Sequence, residues 1–249
     1  MSRPRQRADV ALVERGLAES RTRAQAVIMA GLVFSGERRI DKPGQLVAPD
    51  AVLTVRGSDH PWVSRGGLKL VKALDHFAFD AAGLVCLDVG ASTGGFTDVL
   101  LSRGAAKVTA VDVGKGQLAW ELRNDTRVVV LEGVNARYLS RADVPDPIDL
   151  VVCDASFIGL ETILPAPMAL TAPGARLVAL IKPQFEVGKG RVGKGGVVRD
   201  TVLHEEVCAR IADWLGSQPG WHVRGVTESP ITGPKGNKEF LIAAEKAPA

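Results

Sequence analysis

The stretch Leu84-Val-Cys-Leu-Asp-Val-Gly-Ala-Ser-Thr-Gly-Gly-Phe96 joins an apolar run to an acidic residue and a glycine-rich turn. The apolar run predicts a buried β-strand, and the glycines predict a tight turn that opens a helix. Glycine permits a positive φ and lets the backbone approach a ligand closely. The combination is typical of a nucleotide-type cofactor site at the end of a strand in an α/β sheet.

The spacing within this turn separates it from a dinucleotide fingerprint. A G-x-G-x-x-G turn would have glycine at Ser92, and here an acid, Asp88, closes the strand. The order acid-x-Gly-x-Ser-x-Gly resembles motif I of S-adenosylmethionine (SAM) methyltransferases. The resemblance implies SAM as the cofactor, with contacts from Asp88, Gly90, Ala91, Ser92, Gly94 and Phe96. Asp112 ends the next apolar run and is the candidate for ribose hydroxyls. A purely structural turn with a helix-capping acid is the alternative.

Strand and helix patterns alternate through the rest of the chain. They predict strands over residues 84–89, 107–112, 127–131, 149–154, 175–182, 222–227 and 240–244. The run Leu177-Val-Ala-Leu-Ile181 is apolar throughout, which indicates burial on both sheet faces. We therefore expect an α/β fold, a doubly wound Rossmann-like sheet, over residues 65–249.

Residues 1–59 predict a separate small α+β module, followed by a linker over residues 60–64. Helical patterns begin at Ala8 and after Ser20, and short β runs cover residues 32–34 and 51–55. Residues 1–60 contain 10 Lys and Arg against 7 Asp and Glu, whereas residues 61–249 contain 21 of each. All of the net charge of +3 therefore comes from this module. Arginine suits phosphate, but charge alone equally allows a solvated surface.

The module also matches a known pattern. Ala8-Asp-x-x-Leu-x-x-x-Gly-x-x-x-Ser-Arg-x-x-Ala-x-x-x-Ile-x-x-Gly31 resembles the S4-type RNA-binding domain. This resemblance implies binding to structured ribosomal RNA. The candidate RNA contacts in the module are Arg5, Arg7, Arg21, Arg23 and Lys42.

Composition excludes several other classes of protein. The apolar runs are of strand length, and the N-terminus lacks a signal-peptide core, so we expect no membrane association and a cytoplasmic location. The three cysteines, with no CxxC, predict free thiols, and the four scattered histidines predict no metal site.

Four charged residues stand where the predicted α/β sheet would bind ligands. Asp154 and Lys182 follow apolar strands, Glu239 precedes the last strand, and Lys69 lies on the helix that enters the domain. Their order resembles the Lys-Asp-Lys-Glu tetrad of RrmJ/FtsJ-like RNA ribose 2′-O-methyltransferases. The flanking Ser64-Arg-Gly-Gly-Leu-Lys-Leu70, Asp154-Ala-Ser-Phe157, Lys182-Pro-Gln-Phe-Glu186 and Gly233-Pro-Lys-Gly-Asn-Lys-Glu-Phe240 resemble the TlyA (haemolysin A) family of rRNA 2′-O-methyltransferases. His60 departs from the arginine expected before Trp62-Val63 in that family.

The resemblance implies transfer of the SAM methyl group to a cytidine ribose in 16S and/or 23S rRNA. The thioether leaves without acid help, so the enzyme must mainly align the hydroxyl and remove its proton. A lysine can act as the base only if its pKa falls toward neutrality. Lys182 is the candidate base and Lys69 the neighbouring cation; Asp154 would orient the amine, and Glu239 would hold Lys69 or the ribose.

Further RNA contacts are expected in the second domain. Phe157 is either a core residue or a plate on which a flipped base stacks. The loop Gly188-Lys-Gly-Arg-Val-Gly-Lys-Gly195 nearly spells a Walker loop but lacks its Ser/Thr, which favours a basic loop that contacts RNA through Lys189 and Arg191.

Three other functions are weaker alternatives. Cytosine-carbon methylation would need an activated cysteine such as Cys153. A non-catalytic rRNA-binding or ribosome-assembly factor is disfavoured by the complete tetrad. A membrane-active haemolysin is disfavoured because no spanning segment or basic amphipathic helix is evident.

Overall fold

The computed structural model describes residues 5–15, 17–18, 20–55, 60–188, 190–233 and 236–248. The chain divides into two compact units, Met1–Pro61 and Trp62–Ala249. This boundary falls inside the segment 60–64 that the sequence marks as a linker. Lys189 of the predicted basic loop lies outside the described residues.

The first unit is a small α+β module. Its two helices are α1 (Ala8–Glu14) and α2 (Arg21–Met29). Ser20 caps α2, because its hydroxyl accepts a hydrogen bond from the backbone N–H of Arg23. The strands are β1 (Gln6–Arg7), β2 (Val33–Ser35), β3 (Arg38–Arg39), β4 (Leu46–Val47) and β5 (Leu53–Val55).

Two antiparallel sheets organise this unit. β1 pairs with β4, and β2 lies between β3 and β5. The sequence pattern found β2 and β5 but missed the three strands of two residues, which are too short to show alternation. A separate core fills the unit; it includes Leu12, Ile28, Val33 and Ile40.

The second unit contains seven α-helices and seven strands among its described residues. The helices are α3 (Gly66–Phe77), α4 (Gly95–Ser102), α5 (Trp120–Arg123), α6 (Leu160–Ile163), α7 (Pro165–Ala169), α8 (Pro183–Glu186) and α9 (Thr201–Gly216). The strands are β6 (Val85–Val89), β7 (Lys107–Asp112), β8 (Val128–Glu132), β9 (Ile148–Cys153), β10 (Thr171–Ile181), β11 (Trp221–Glu228) and β12 (Phe240–Lys246).

These strands form one mixed sheet in the order β11-β12-β10-β9-β6-β7-β8. Strands β6 to β10 pair in parallel, whereas β12 is antiparallel to both β10 and β11. A parallel connection needs a crossover of a dozen or more residues, and residues 229–239 are too few for one. The Rossmann-like α/β fold is confirmed, with an antiparallel pair at one edge.

Both faces of this sheet are covered by apolar residues. Leu87 and Val89 belong to the core on one face, and Cys86 belongs to the core on the other. The strand alternates between two cores because successive side chains point to opposite faces. The side chain of Asp88 points to the face opposite to those of Leu87 and Val89, and it is fully buried. None of the helices in the described part of the chain is long and apolar enough to span a membrane.

Candidate active site

The four charged residues of the predicted tetrad lie in one connected cluster. Nζ of Lys182 is 2.6 Å from Oδ1 of Asp154, and Nζ of Lys69 is 3.4 Å from Oδ2 of the same carboxylate. Lys69 also donates to Oε2 of Glu239 at 2.7 Å. Asp154 therefore bridges the two lysines, and Glu239 completes a group with two positive and two negative charges.

Sheet topology explains why these residues meet. Asp154 follows β9 and Lys182 follows β10, so two neighbouring parallel strands bring both residues to one edge of the sheet. Because β12 runs antiparallel to β10 and pairs Phe240 with Ile181, its first residues lie at that same edge, beside Lys182. Glu239 reaches the cluster in this way.

Lys69 comes from the buried face of α3, together with Leu70 and Ala73. Its side chain is only 9% exposed, and that of Glu239 is fully buried. Buried charges are stable only when they are paired, so the two residues depend on each other.

Two further residues, to which the sequence pattern assigned no role, shape this cluster. Lys182 donates to the hydroxyl of Ser156 at 2.9 Å and to the backbone carbonyl of Asp154 at 3.1 Å. A Cβ at Gly233 would lie 2.0 Å from Oε1 of Glu239, so this position must be glycine for the buried carboxylate to fit. Ser156 and Gly233 both lie in sequence motifs that resemble the TlyA family, and this resemblance was the only indication in the sequence that they belong to the site.

The glycines of the motif I turn lie against other parts of the protein, and their contact with a cofactor stays a prediction. Gly90 has φ +82°, and a Cβ there would lie 2.9 Å from Cα of Ala155. Gly94 has φ +98°, and a Cβ would lie 2.3 Å from Leu122. The first glycine therefore lets the turn approach the segment after β9, beside the charged cluster.

Two other motif I residues are core residues in the structure. Ala91 and Phe96 are 7% and 3% exposed and pack in the hydrophobic core that includes Val99 and Leu100. Their contact with a cofactor stays a prediction.

Asp88 is a buried carboxyl with an unusual protonation equilibrium. Its Oδ2 accepts a hydrogen bond from the hydroxyl of Thr97 at 2.7 Å, and its Oδ1 has no hydrogen-bond partner among the described residues. Burial raises the pKa of Asp88 to about 7, and the nearby carboxylate of Asp154 adds to this; the Thr97 bond opposes it. The carboxyl therefore titrates near neutral pH.

Asp112 lies at the mouth of the same turn. Its carboxylate accepts bonds from the backbone N–H of Ser92 at 2.8 Å and of Gly114 at 2.7 Å. Ser92 has φ +50°, a conformation uncommon for a residue with a side chain. Each carboxylate oxygen takes two hydrogen bonds, so capacity remains for ribose hydroxyls. The neighbouring Val113 is 69% exposed and offers an apolar surface for a base. The residues present therefore fit a nucleoside cofactor.

The structure argues against the other chemistries considered. Burial raises the pKa of the Cys153 thiol to about 12, which is the opposite of an activated nucleophile. The thiols of Cys86, Cys153 and Cys208 are free, as predicted. Among the residues that the structure describes, no cluster of three His, Cys, Asp or Glu could hold a metal ion.

The candidate RNA contacts lie apart from one another along the chain. Arg5, Arg7, Arg21, Arg23 and Lys42 are exposed in the first unit. Arg7 and Arg21 do not stand free, because both guanidinium groups bond to the buried Asp9. In the second unit, Arg191 pairs with Glu206 of α9 at 2.5 Å.

Phe157 is not a core residue. Its side chain is 89% exposed, and its backbone has φ +66°. Its ring lies against Phe185, with 5.0 Å between the ring centroids. Of the two interpretations of Phe157, the core residue is therefore excluded, and stacking on a base stays a prediction.

Comparisons with known proteins agree with this fold. A family model for FtsJ-like methyltransferases matches residues 62–246, and a model for the S4 domain matches residues 6–53. The chain is 52% identical over 239 residues to the 16S/23S rRNA (cytidine-2′-O)-methyltransferase TlyA of Mycobacterium tuberculosis, covering 96% of this chain and 89% of the relative. It is 42% identical over 232 residues to Hemolysin A of Brachyspira hyodysenteriae, covering 91% and 94%.

Solved structures show the same architecture. A Streptococcus thermophilus protein assigned as a hemolysin superimposes with a TM-score of 0.75 at 43% identity, covering 98% of this chain and 89% of that one. The magnesium protoporphyrin IX methyltransferase of Synechocystis, with bound SAH, gives a TM-score of 0.52 at 16% identity, covering 73% and 82%, and so shares the fold.

The mixed seven-stranded sheet with a motif I turn at the carboxyl end of β6 defines a SAM-dependent methyltransferase. The S4 domain precedes it in the chain. The chain belongs to the FtsJ-like methyltransferase family.

Proposed function

We propose that this chain transfers the methyl group of SAM to the 2′-hydroxyl of a cytidine ribose in 16S and/or 23S rRNA. The observation that carries the proposal is the connected cluster of Lys182, Asp154, Lys69 and Glu239 beside the motif I turn. The 52% identical relative, whose name states this activity, supports the choice of substrate.

Lys182 is the proposed general base. Its amine has three oxygen neighbours: the Asp154 carboxylate, the Asp154 carbonyl and the Ser156 hydroxyl. The contacts with the carbonyl and the hydroxyl are hydrogen bonds, and the contact with the carboxylate is an ion pair. To accept a proton, the lysine must first lose one N–H and one of these contacts. Ser156 is the exposed neighbour, so the ribose hydroxyl would take its place.

Asp154, Lys69 and Glu239 would position this base. Asp154 holds Lys182 through its Oδ1 and Lys69 through its Oδ2. When Lys182 is neutral, Lys69 still lies 3.4 Å from Asp154, and the cluster carries one positive and two negative charges. Glu239 in turn keeps Lys69 in place at 2.7 Å. Both carboxylates thus keep a contact with the Lys69 ammonium when Lys182 is neutral.

The cofactor would be held by the motif I turn and Asp112, and when bound it supplies an electrophilic methyl group. Asp112 would accept hydrogen bonds from ribose hydroxyls. Asp88 would contribute a buried carboxyl in β6, directly before the turn. Gly90 allows the turn to lie against the segment after β9, so cofactor and base would be close together. Such alignment provides a large share of the rate.

Recognition of rRNA would use both units. Arg5, Arg7, Arg21, Arg23 and Lys42 are the proposed phosphate contacts of the S4 domain. Phe157 would stack on the target base once it leaves its helix, because base stacking on an aromatic ring is worth about 1–3 kcal/mol. Lys189 and Arg191 are the proposed RNA contacts of the loop over residues 188–195.

The test replaces Lys182 with alanine and measures methyl transfer to unmodified ribosomal subunits and, separately, subunit binding. Loss of the base should lower the rate by roughly 10²- to 10⁴-fold, while binding stays within a few-fold. Lys72→Ala, at an exposed position of α3, is the control. Near-wild-type transfer by Lys182→Ala would remove this residue from the mechanism. Digestion of the methylated RNA to nucleosides should yield 2′-O-methylcytidine, and any other product would refute the proposed substrate.

A further inference from the structure

A buried aspartate organises the basic surface of the first unit. Asp9 lies in the first turn of α1, and its side chain is 0% exposed. Its Oδ1 accepts bonds from Nε of Arg7 and from the backbone N–H of Val10, both at 3.0 Å. Its Oδ2 accepts from Nη2 of Arg7 at 2.9 Å and from Nε of Arg21 and Nε2 of Gln25, both at 3.0 Å.

These bonds join three elements of the unit. Arg7 belongs to β1, Asp9 to α1, and Arg21 and Gln25 to α2. Arg21 and Gln25 are four positions apart, so they share one face of α2, the face turned to Asp9. A carboxylate with this many donors stays ionised, and the bond from Arg7 is the main cause of its lowered pKa.

The arrangement holds two like charges side by side. Both guanidinium groups bond to the same oxygen, and both side chains remain accessible, at 45% exposure for Arg7 and 57% for Arg21. The bonds to Asp9 use Nε and Nη2 of Arg7 and Nε of Arg21. Nη1 of Arg7 and both Nη atoms of Arg21 are outside these bonds. One buried negative charge and two accessible positive charges leave a net charge of +1 at the surface.

We propose that Asp9 is a positioning residue that fixes Arg7 and Arg21 as one preformed clamp for an RNA phosphate. Two unsupported arginines would repel each other, and each would lose rotamer freedom on binding. The buried carboxylate removes both costs before RNA arrives. This inference rests on the proposed rRNA binding of the first unit.

If Asp9 positions the two arginines, removing its charge should weaken RNA binding, whereas the increase in net charge alone would strengthen it. Asp9→Asn raises the net charge of the chain from +3 to +4, which by itself would strengthen RNA binding. If Asp9 positions the arginines, the same change should weaken binding about tenfold and lower the slope of log K against log salt by about one. Asp50→Asn, an equal charge change at an exposed position of the same unit, should leave binding unchanged or slightly tighter.

The experiment measures binding of the full chain to 16S and 23S rRNA transcripts over a series of salt concentrations. A second variant, Arg7→Lys with Arg21→Lys, keeps both positive charges but removes the planar guanidinium groups. It should also weaken binding, because an ammonium cannot bond to Asp9 and still present a planar pair of donors to a phosphate. A third comparison places Asp9→Asn in a chain that already carries Arg7→Gln and Arg21→Gln, where it should have no further effect. A merely structural contribution of Asp9 would lower binding equally in both backgrounds.

The outcomes separate this inference from the proposed function. If the double Gln variant binds rRNA as the wild type does, the RNA-binding assignment of these arginines fails. If the double Gln variant loses affinity while Asp9→Asn binds equally well or more tightly, the arginines bind RNA and the positioning inference is overturned. Tenfold weaker binding by Asp9→Asn in the wild-type background only would support it.

Discussion

Replacing Asp88 with asparagine should make the stability of the second unit less dependent on pH. The side chain is fully buried, and burial raises its pKa from 3.8 to about 7. Asparagine has nearly the same shape as the protonated acid, and its carbonyl oxygen can still accept the bond that Thr97 donates to Oδ2. The substitution therefore removes the titration while it preserves the packing.

The sign of the effect follows from the direction of the shift. A carboxyl whose pKa is raised in the folded state binds its proton more tightly there than in the unfolded chain. As pH rises from about 4 to about 7, the unfolded chain ionises first, and the folded state loses stability. A shift of about 3 units corresponds to a total of about 4 kcal/mol, of which about 2.5 kcal/mol falls between pH 5 and pH 8. Over that range, the stability of Asp88→Asn relative to wild type should rise by this amount.

Urea unfolding followed by tryptophan fluorescence measures the effect in the relevant unit. All four tryptophans, at positions 62, 120, 214 and 221, belong to the second unit, so the signal does not report on the first. Using the difference between variant and wild type cancels the titration of every group other than Asp88. Asp213→Asn, at an exposed position of α9, controls for the substitution itself. A difference that stays constant within about 0.5 kcal/mol from pH 5 to pH 8 would refute the reasoning.

Three further predictions concern the cofactor turn, the two units and the exposed aromatic ring. Gly90→Ala should lower SAM affinity in calorimetry at least tenfold, because a Cβ would lie 2.9 Å from Ala155; Gly83→Ala has a similar positive φ but open space around it, and should leave affinity unchanged. A fragment that begins at Trp62 should bind SAM but lose ribosomal-subunit binding, and full methylation of subunits by this fragment would exclude the first unit as the recognition element. Phe157→Ala should lower methyl transfer about tenfold at unchanged SAM affinity, and Phe157→Trp should keep the wild-type rate of transfer. Equal activity of the two variants would refute the proposed stacking of Phe157 on the target base.

Much of the fold was predictable because its signals are local. All seven strands of the large sheet show apolar runs or alternation, and the observed bounds lie within a few residues of the predicted ones. The motif I turn is recognisable in the sequence from its glycines and its acid. The S4 domain is recognisable from the spacing of small and apolar residues on its helices. The antiparallel direction of β12 was not visible, since a strand has the same periodicity in either direction.

The candidate site shows the same division. The order of residues in the sequence predicted one set of four: Lys69, Asp154, Lys182 and Glu239. Their spacing could not predict that Asp154 bridges the two lysines or that Ser156 contacts Lys182. These contacts depend on the register of three strands and one helix.

The sequence by itself determined the class of fold, the family and the residue types available for chemistry, because periodicity and motif spacing are properties of neighbouring residues. Only the tertiary structure decided what those residues touch. Gly90 faces the backbone after β9, Phe157 lies exposed, and Asp9 holds two arginines that a count of charges would treat as independent. The physical reason is that burial, pairing and close approach arise between segments distant in the chain, and they set the free energy of each charge.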